Sequence, residues 1–511
     1  MKKIVHLIII SLLIASCSED FLDRTNPNEL SDQVFWGSLK DAEMAIMGCY
    51  DGLQSYFDCD PWSWGILRTD HMSDNGYLDW GSWMPGGAVA RGRVSPVYNW
   101  GNAHGVIWEK SYSVIGRTNR VIANVPQMAE DGLIDQADAD RIVAEARFIR
   151  AMVYLYMTVT IRDVPLVKTP LTIEEANLGK TQKDEIVSFI ISDVENSYQD
   201  LPQATSGGDW PRASQGAALA LLARINLWHG NYGEAASYAQ QVIDMGQYAL
   251  YPSYDDLFRP ENEQNEEVVF AVSFIRGPED RGFQYHGSWG TNPPAAVSAL
   301  SNLANDFYCT DGLPIDESPL YDPVDLNANR DPRLHTTVIV QGDTWRGDSL
   351  TEPPLGGKTS VEPRKFVEEW NNENHFDKDQ DFYVIRYAHV LLMRAEALAQ
   401  QDQNPGEVIQ LINQIRDRVG MPHVQGNPNG SDLLDIVKHE RRVETAFEGL
   451  RWFDIRRWGI FKERAYDYYM EVEAPTYGLA DRQWSDKLMV WPIPQNELDV
   501  VEALEQHDEW K

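Results

Sequence analysis

Apolar residues recur at helical spacing along residues 144–160. One face of this segment carries Ala146, Ile149, Val153 and Met157, and another carries Phe148, Leu155 and Tyr156. Because apolar side chains cover more than one face, the pattern predicts a buried helix rather than a helix with one side in water.

Two further segments show the pattern of a helical hairpin, in which two apolar stripes are separated by a short polar break. The first begins at Ser214 and is interrupted at residues 230–233, and the second spans residues 390–419 with a break near residues 404–406. Each predicts two antiparallel helices joined by a tight turn. Together they are similar to tetratricopeptide helix pairs, but they lie too far apart in sequence to form an uninterrupted solenoid.

Two regions outside these helical segments have a different composition. Residues 58–102 are rich in Gly, Pro, Asp and Trp, and residues 277–363 are likewise interrupted by frequent Gly and Pro. This composition predicts long loops with short strands, and the aromatic content argues against disorder. We therefore predict a mainly α protein, a single domain from residue 17 to residue 511, in which loop-rich insertions are built onto a helical scaffold.

The amino terminus has the pattern of a secretory signal. Two lysines precede an apolar run at residues 4–14, and two small residues then precede Cys17. The run is shorter than the ~20 residues that a membrane-spanning helix needs. We predict a signal peptide at residues 1–16 and acylation of Cys17, which would tether the mature chain to a membrane. The alternative is an ordinary signal peptide with a coincidental cysteine.

Charge and cysteine content restrict the partners and the mode of stabilisation. The formal net charge is −34, and an acidic surface repels nucleic acid and anionic lipid heads while leaving neutral ligands unaffected. The cysteines beyond Cys17 are Cys49, Cys59 and Cys309. Three cysteines cannot all pair with one another, so the fold does not depend on a disulfide framework.

Five groups of motif residues follow one another along the chain. They are residues 144–151 with 163–166, residues 212–214 with 217–224, residues 394–397 with 412–416, residues 440–458, and residues 491–494 with 497–498. In this order they resemble the signature motifs of the SusD/RagB family of outer-membrane nutrient-binding lipoproteins. The departures are local: Arg162 stands where the family usually has glycine, and the ending at residues 499–510 differs from the family's usual one.

The resemblance implies a SusD-like fold with tetratricopeptide-like helix pairs as scaffold and a non-catalytic role. It implies that the protein lies on the cell surface, lipid-anchored in the outer membrane, binds an oligosaccharide and passes it to a SusC-like TonB-dependent transporter. Ser18, Glu19 and Asp20, which follow the predicted lipidation site, are similar to the export signal of surface lipoproteins in Bacteroidetes-type bacteria.

The charged residues within the motifs are expected to be structural. Arginines and glutamates set along amphipathic helices form ion pairs that fix how the helices pack, and losing one buried partner costs about 3–5 kcal/mol. We assign this role to Arg147, Glu440, Arg441 and Arg451.

Tryptophan is concentrated in the first loop-rich region. Six of the 17 tryptophans lie between residues 62 and 108, namely Trp62, Trp64, Trp80, Trp83, Trp100 and Trp108. Trp108 begins a helical pattern and is assigned to the core. Sugar rings present apolar faces edged by hydroxyl groups, so a sugar site needs flat aromatic side chains beside short polar ones.

This chemistry predicts a ligand-binding surface in the loops. Its members in the first region are Asp70, Asp74, Asn75, Tyr77, Trp80, Trp83, Tyr98, Trp100 and Asn102, and in the second region they are Phe283, Tyr285, His286 and Trp289. The resemblance places Tyr98, Trp100 and Asn102 first, because the family's starch-binding member holds its ligand through aromatics and an asparagine in this part of the chain. The alternative is that these aromatics only pack the loops onto the scaffold.

Common catalytic and cofactor motifs are absent from the sequence. It contains no GxSxG, HExxH or paired CxxC motif, and residues 356–359 are interpreted as a turn rather than a phosphate loop. We predict no cofactor, with a structural Ca²⁺ held by loop carboxylates as the one metal left open. Three alternatives remain: a glycoside hydrolase with a carboxylate pair, a peptide-binding uptake lipoprotein, and a scaffold that binds only protein.

Overall fold

The computed structural model describes residues 35–57, 65–78, 87–97, 103–205, 207–275, 277, 297–345, 348–349, 358–367 and 379–511. Its helices are α1 Leu39–Phe57, α2 Gly87–Ala90, α3 Ala103–Glu130, α4 Gln136–Thr160, α5 Lys183–Glu195, α6 Gln215–Trp228, α7 Tyr232–Asp244, α8 Tyr254–Leu257, α9 Ser301–Asp306, α10 Arg333–Thr337, α11 Tyr387–Gln400, α12 Pro405–Val419, α13 Gly430–Thr445, α14 Arg451–Arg457, α15 Ala474–Tyr477 and α16 Gln495–Val500. Its strands are β1 Gly76–Leu78, β2 Val268–Val272, β3 Val297–Ala299, β4 Val338–Ile339, β5 Thr344–Trp345, β6 Asp348–Ser349, β7 Glu362–Pro363 and β8 Phe382–Arg386.

The helical scaffold consists of antiparallel pairs, as the apolar pattern predicts. The two predicted hairpins are α6 with α7 and α11 with α12. The predicted buried helix is the C-terminal two thirds of α4, which begins earlier, at Gln136, and pairs with α3. Residues on every side of α4 are buried, so the prediction of an enclosed helix is confirmed.

The two hairpins are contiguous in space although about 140 residues separate them in sequence. Helix α11 packs against α7 as well as against its own partner α12. The tetratricopeptide-like pairs therefore stack on one another, and the chain between them forms the inserted region.

A two-stranded antiparallel sheet connects the insertion to the scaffold. Strands β2 and β8 pair with Val272 opposite Phe382, and every residue in both strands is buried. Strand β8 runs directly into α11, so the sheet fixes the position of the second hairpin relative to α6, against which both strands pack.

Buried ion pairs attach α13 to the surrounding chain. Arg386 is fully buried, and its guanidinium donates to Glu267 and Glu444 at 2.6 Å and to Glu448 at 2.8 Å. Glu440 on the same helix accepts from Arg333 at 2.6 Å. Such pairs are favourable mainly because each charge needs its partners once it has been removed from water.

The four charged motif residues assigned to structural roles all form ion pairs. Arg147 lies 3.6 Å from Asp193, Glu440 pairs with Arg333 and Arg416, Arg441 lies 2.7 Å from Asp454, and Arg451 lies 2.8 Å from Asp74. The prediction that these residues form structural ion pairs is confirmed.

Within the described residues, Cys49 and Cys309 are buried free thiols. The predicted lipidation site Cys17 and Cys59 lie outside the described residues. In the described part of the chain, no helix combines the length and the apolar character needed to cross a membrane.

Candidate ligand-binding face

The two loop-rich regions meet at a short antiparallel sheet, here called the strand junction, formed by β1 and β3. Gly76 is opposite Ala299, Tyr77 is opposite Ser298, and Leu78 is opposite Val297. The short strands expected in both regions are therefore present, and they pair with each other. The sequence pattern did not indicate this pairing, since more than 200 residues separate the two strands.

Further hydrogen bonds secure the strand junction on both sides. The backbone N–H of Leu300 donates to Asn75 O at 2.9 Å, and that of Ala299 donates to Val361 O at 3.0 Å. The hydroxyl of Thr359 also donates to Ala299 O at 2.6 Å. The junction is thus held by its own pairing and by the segment around β7.

Asp74 ties the first loop-rich region to the helices behind it. One carboxylate oxygen accepts from Arg451 Nε and the other from Arg451 Nη2, both at 2.8 Å, and Arg442 Nη2 lies 3.3 Å away. Burial alone would raise the pKa of Asp74, but the two guanidinium groups outweigh it and hold the pKa well below its usual range. Asp74 is therefore ionised throughout the physiological pH range.

Asp70 lies four residues earlier and has fewer partners. Its carboxylate accepts from the backbone N–H of Gly449 at 2.7 Å and from the side-chain amide of Asn75 at 3.3 Å. Burial raises the pKa of Asp70 to about 7, and the backbone donors offset that rise only in part.

The turn that presents the Gly449 N–H is strained. Phe447 has φ of 60° and Gly449 has φ of 72°, both in the left-handed region, where a non-glycine residue costs about 1–2 kcal/mol. The ring of Phe447 packs on that of His71, with centroids 5.4 Å apart. Glu448, between them, is anchored by Arg386 and Lys365, which holds the turn in this conformation.

Arg482 binds the backbone beneath β1. Its guanidinium donates to Ser73 O at 2.9 Å, to Gly76 O at 2.8 Å and to Ala465 O at 2.9 Å. Its charge lies over the ring of Tyr469, which also stacks on Tyr77 at a centroid distance of 6.3 Å. One arginine and one aromatic pair therefore join β1 to the C-terminal region.

Glu473 joins the chain that follows β3 to the C-terminal region. Its carboxylate accepts from the backbone N–H of Asn302 at 2.9 Å and from the hydroxyl of Ser301 at 2.8 Å, at the first turn of α9. A carboxylate at a helix N-terminus satisfies free N–H groups and interacts favourably with the helix dipole.

The predicted site residues divide into two groups. Asp70, Asp74, Asn75 and Tyr77 are buried beneath or within the strand junction, where they bond to other parts of the chain. Trp80, Trp83, Tyr98, Trp100, Asn102, Tyr285 and Trp289 lie outside the described residues, as do Phe283 and His286. Contact of either group with a ligand stays a prediction. Trp108 is buried, which confirms its assignment to the core.

Sequence reasoning did not connect Arg442, Arg451 and Arg482 with the loops. Arg442 and Arg451 were recognisable as motif residues, but their partner Asp74 lies more than 360 positions earlier. Arg482 belongs to no motif and bonds mainly to backbone carbonyls, which leave no signal in a sequence.

A cleft of about 1220 Å³ runs along α3. It begins beside Gly105, Trp108 and Glu109, directly after the predicted ligand residue Asn102 in the chain, and extends to Asn124. Residues of the segment 165–178 and of α16 complete its lining. Its mixture of aromatic and polar side chains is compatible with a neutral polar ligand.

The described residues offer little for metal binding. In the ranges that the structure describes, no group of three or more His, Cys, Asp or Glu side chains is arranged to hold a metal ion.

Asp70 and Asp74 resemble an acid and base pair in one respect only. The pKa of Asp70 is raised and the pKa of Asp74 is lowered, as for the two catalytic carboxyl groups of a glycosidase. However, both side chains have an exposed fraction of 0%. Other parts of the protein enclose both carboxyl groups in this structure, and the guanidinium groups already bind the oxygens of Asp74.

Comparisons with known proteins cover nearly the whole chain. A family model described as "SusD family" matches residues 262–510, and a second, described as "Starch-binding associating with outer membrane", matches residues 20–227. The chain is 26% identical to a SusD-like protein P25 of Formosa agariphila, over 99% of this chain and 98% of that protein. It is 24% identical to a SusD-like protein of Bacteroides ovatus, over 89% of this chain and 82% of that one.

A solved structure agrees with both matches. A SusD-like carbohydrate binding protein of Bacteroides fragilis is 28% identical, with a TM-score of 0.81 over 92% of this chain and 100% of that chain. The two family models together include both loop-rich regions and most of the helical scaffold, and residues 228–261, with α7 and α8, lie between the two matches. The chain belongs to the SusD/RagB family.

Proposed function

We propose that the protein is a cell-surface lipoprotein, anchored through Cys17, that binds oligosaccharides through its loop aromatics. It delivers them intact to a SusC-like TonB-dependent transporter in the outer membrane. The protein is non-catalytic and uses no cofactor.

Family membership supports glycan binding at the outer membrane. One matching model is described as starch-binding and associated with the outer membrane, and the Bacteroides fragilis relative is described as carbohydrate binding. The delivery step, the transporter and the lipid anchor rest on the resemblance of the motifs and on the amino-terminal pattern.

The observation that carries the proposed position of the site is the pairing of β1 with β3. Leu78, the last residue of β1, is opposite Val297, the first residue of β3. The segment with Trp80 and Trp83 leaves the junction at Leu78, and the segment with Tyr285 and Trp289 reaches it at Val297. Trp80 and Trp83 in one region, and Tyr285 and Trp289 in the other, therefore belong to chain segments that adjoin the same short sheet.

Rigid support beneath the junction favours binding through stacking. Aromatic side chains add apolar area while losing few rotamers, and a preformed base lowers the ordering cost of binding. Asp74, Arg451 and Arg482 provide such a base. A few stacking contacts give modest affinity, which suits a protein that must release its ligand to a transporter.

The test is isothermal titration of the lipid-free protein, residues 18–511, against plant, host and microbial oligosaccharides, with product analysis of each mixture. We expect saturable binding, recovery of intact oligosaccharide, and roughly five- to tenfold weaker binding by Trp100→Ala, since an aromatic stacking contact contributes about 1–1.5 kcal/mol. Trp36→Ala is the matched control: Trp36 is partly buried at the start of the scaffold, and its loss should leave affinity unchanged.

Other outcomes reject defined parts of the proposal. Cleaved oligosaccharide would show a hydrolase, and Asp70→Asn would then show whether the buried acid is responsible. If Trp100→Ala bound as tightly as the control Trp36→Ala, the site would lie elsewhere, and the cleft along α3 would be the next region to test. Binding of peptides and of no glycan would establish the peptide-binding alternative.

A further inference from the structure

A second cavity of about 210 Å³ is lined by an excess of cationic side chains. It lies where the ends of α4 and α6, the start of α5 and helix α14 come together. The residues that define its chemistry are Arg162, Lys183, Trp228, His229, Arg456 and Arg457. Among its described lining residues there is no Asp or Glu, although the chain has 78 acidic and 44 basic residues.

Two of the arginines are already neutralised. Arg162 donates to Asp163 at 3.0 Å and to Glu509 at 2.7 Å. Arg457 donates to Asp454 at 2.8 Å and to Glu396 at 2.6 Å. The excess charge at the cavity therefore comes from the other cations.

Arg456 is a buried cation with no carboxylate partner among the described residues. Its exposed fraction is 8%, and its guanidinium donates to Leu488 O at 2.9 Å and to Met489 O. The group stacks on the ring of Trp452 at 3.9 Å. Arg456 thus has carbonyl and aromatic partners but no opposite charge, and a buried cation beside a cavity favours the binding of an anion there.

Lys183 and Trp228 provide two further donors. The nearest carboxylate to Lys183 Nζ is that of Asp184, at 3.8 Å, and Asp184 is 94% exposed. The backbone N–H of Lys183, the first residue of α5, already donates to Asp163 Oδ1 at 2.8 Å, so the contribution of Lys183 to the cavity is its ammonium group. Trp228 is 7% exposed, and its indole N–H has no acceptor in the described part of the chain.

We propose that this cavity binds a small oxyanion, a carboxylate, sulfate or phosphate group, held by Arg456, Lys183 and the indole N–H of Trp228. Guanidinium and ammonium groups form charge-assisted hydrogen bonds with such anions, and burial strengthens them. The anion is either a free inorganic ion or the charged group of a sugar acid. This site does not depend on the proposed function at the strand junction.

The test is isothermal titration of residues 18–511 with sodium sulfate, sodium phosphate and sodium glucuronate, with ionic strength held constant by sodium chloride. We expect saturable binding of at least one probe, weakened about tenfold in Lys183→Gln, the loss expected for one charge-assisted hydrogen bond. Lys40→Gln removes the same charge from the first turn of another helix, α1, where Lys40 is exposed, and should leave affinity unchanged.

Arg456→Lys gives an independent check, because it retains the charge and loses the planar donor pair. It should also weaken binding, and circular dichroism would verify that each variant is folded. Binding of glucuronate in addition to the inorganic ions assigns the site to charged sugars, and binding of sulfate or phosphate alone assigns it to a free ion. An absence of saturable binding, or equal losses in Lys183→Gln and Lys40→Gln, would overturn the proposal.

Discussion

Asp70 and Asp74 lie on one buried segment, yet their pKa values move in opposite directions. Asp74 has two guanidinium groups within 3.3 Å, whereas Asp70 has a backbone N–H and a side-chain amide. Both lose hydration, but only Asp74 is in direct contact with cationic side chains, whereas the charge of Lys365 acts on Asp70 more weakly. The number of cationic partners therefore decides which carboxylate stays ionised.

Asp70 makes stability depend on pH in a predictable direction. Its pKa is about 7 in the folded protein and about 3.9 when unfolded, so its contribution is complete below the unfolded value and is lost as pH rises through the folded one. Between about pH 5 and pH 9 it removes roughly 2–3 kcal/mol from the free energy of unfolding. Asp70→Asn cannot titrate, so its stability relative to the natural protein should rise by that amount over this interval, measured by urea unfolding.

Asp74→Asn is the matched control for this pH experiment. Because the pKa of Asp74 is lowered, Asp74 titrates at more acidic pH. The difference in stability between Asp74→Asn and the natural protein should therefore be the same at about pH 5 and at about pH 9. The variant should be less stable throughout by about 3–5 kcal/mol, since Arg442 and Arg451 lose their shared partner. A pH-independent difference for Asp70→Asn would mean that Asp70 is ionised over the whole interval.

The sequence shows these acidic residues close to several aromatic residues, but it could not show that the acidic side chains are buried. Short polar residues near tryptophans match the chemistry of a sugar site, and they also match a buried anchor. The distinction depends on Arg451, which lies 377 positions from Asp74. Nothing local to the loop contains that information.

At the scale of elements, local patterns predict each helical hairpin but not its neighbours. Gly230 has φ of 81° and ends α6 at the predicted break, and Pro405 begins α12 at the other one. These signals lie within a few residues of the turns they form. The packing of α7 on α11 and the pairing of β1 with β3 depend on partners far away in sequence, so periodicity could not predict them.

The close packing of α6 gives a test at this scale. A Cβ atom on Gly216, near the start of the helix, would lie 2.3 Å from the hydroxyl oxygen of Tyr248. Gly216→Ala should therefore lower the free energy of unfolding by about 1–3 kcal/mol, because the ring of Tyr248 must move. Urea unfolding midpoints measure the change.

Gly48 in α1 is the control for the intrinsic effect of alanine in a helix. A Cβ there would have no heavy atom within 4 Å. Gly48→Ala should raise the free energy of unfolding by about 0.5–1 kcal/mol, because alanine loses less backbone freedom than glycine on folding. If both variants gained stability, Tyr248 would not be packed against α6 in solution.

At the scale of the whole molecule, the acidic charge separates the two proposed sites. A net charge of −34 creates a potential that repels anions, and this potential is screened as salt is added. A neutral oligosaccharide does not respond to that potential. An oxyanion bound at Arg456 and Lys183 is affected by it and also competes with added salt.

Binding of a neutral oligosaccharide at the strand junction should therefore be nearly independent of salt. Between about 20 and 300 mM sodium chloride its Kd should stay constant within about twofold, because stacking and hydrogen bonds to hydroxyls involve no release of counterions. Isothermal titration at both concentrations, repeated with Lys183→Gln, measures this directly. A Kd that rises steeply with salt in the natural protein, and less so in Lys183→Gln, would mean that the glycan itself is charged. Its charged group would then occupy the cationic cavity, and the two sites would act on one ligand.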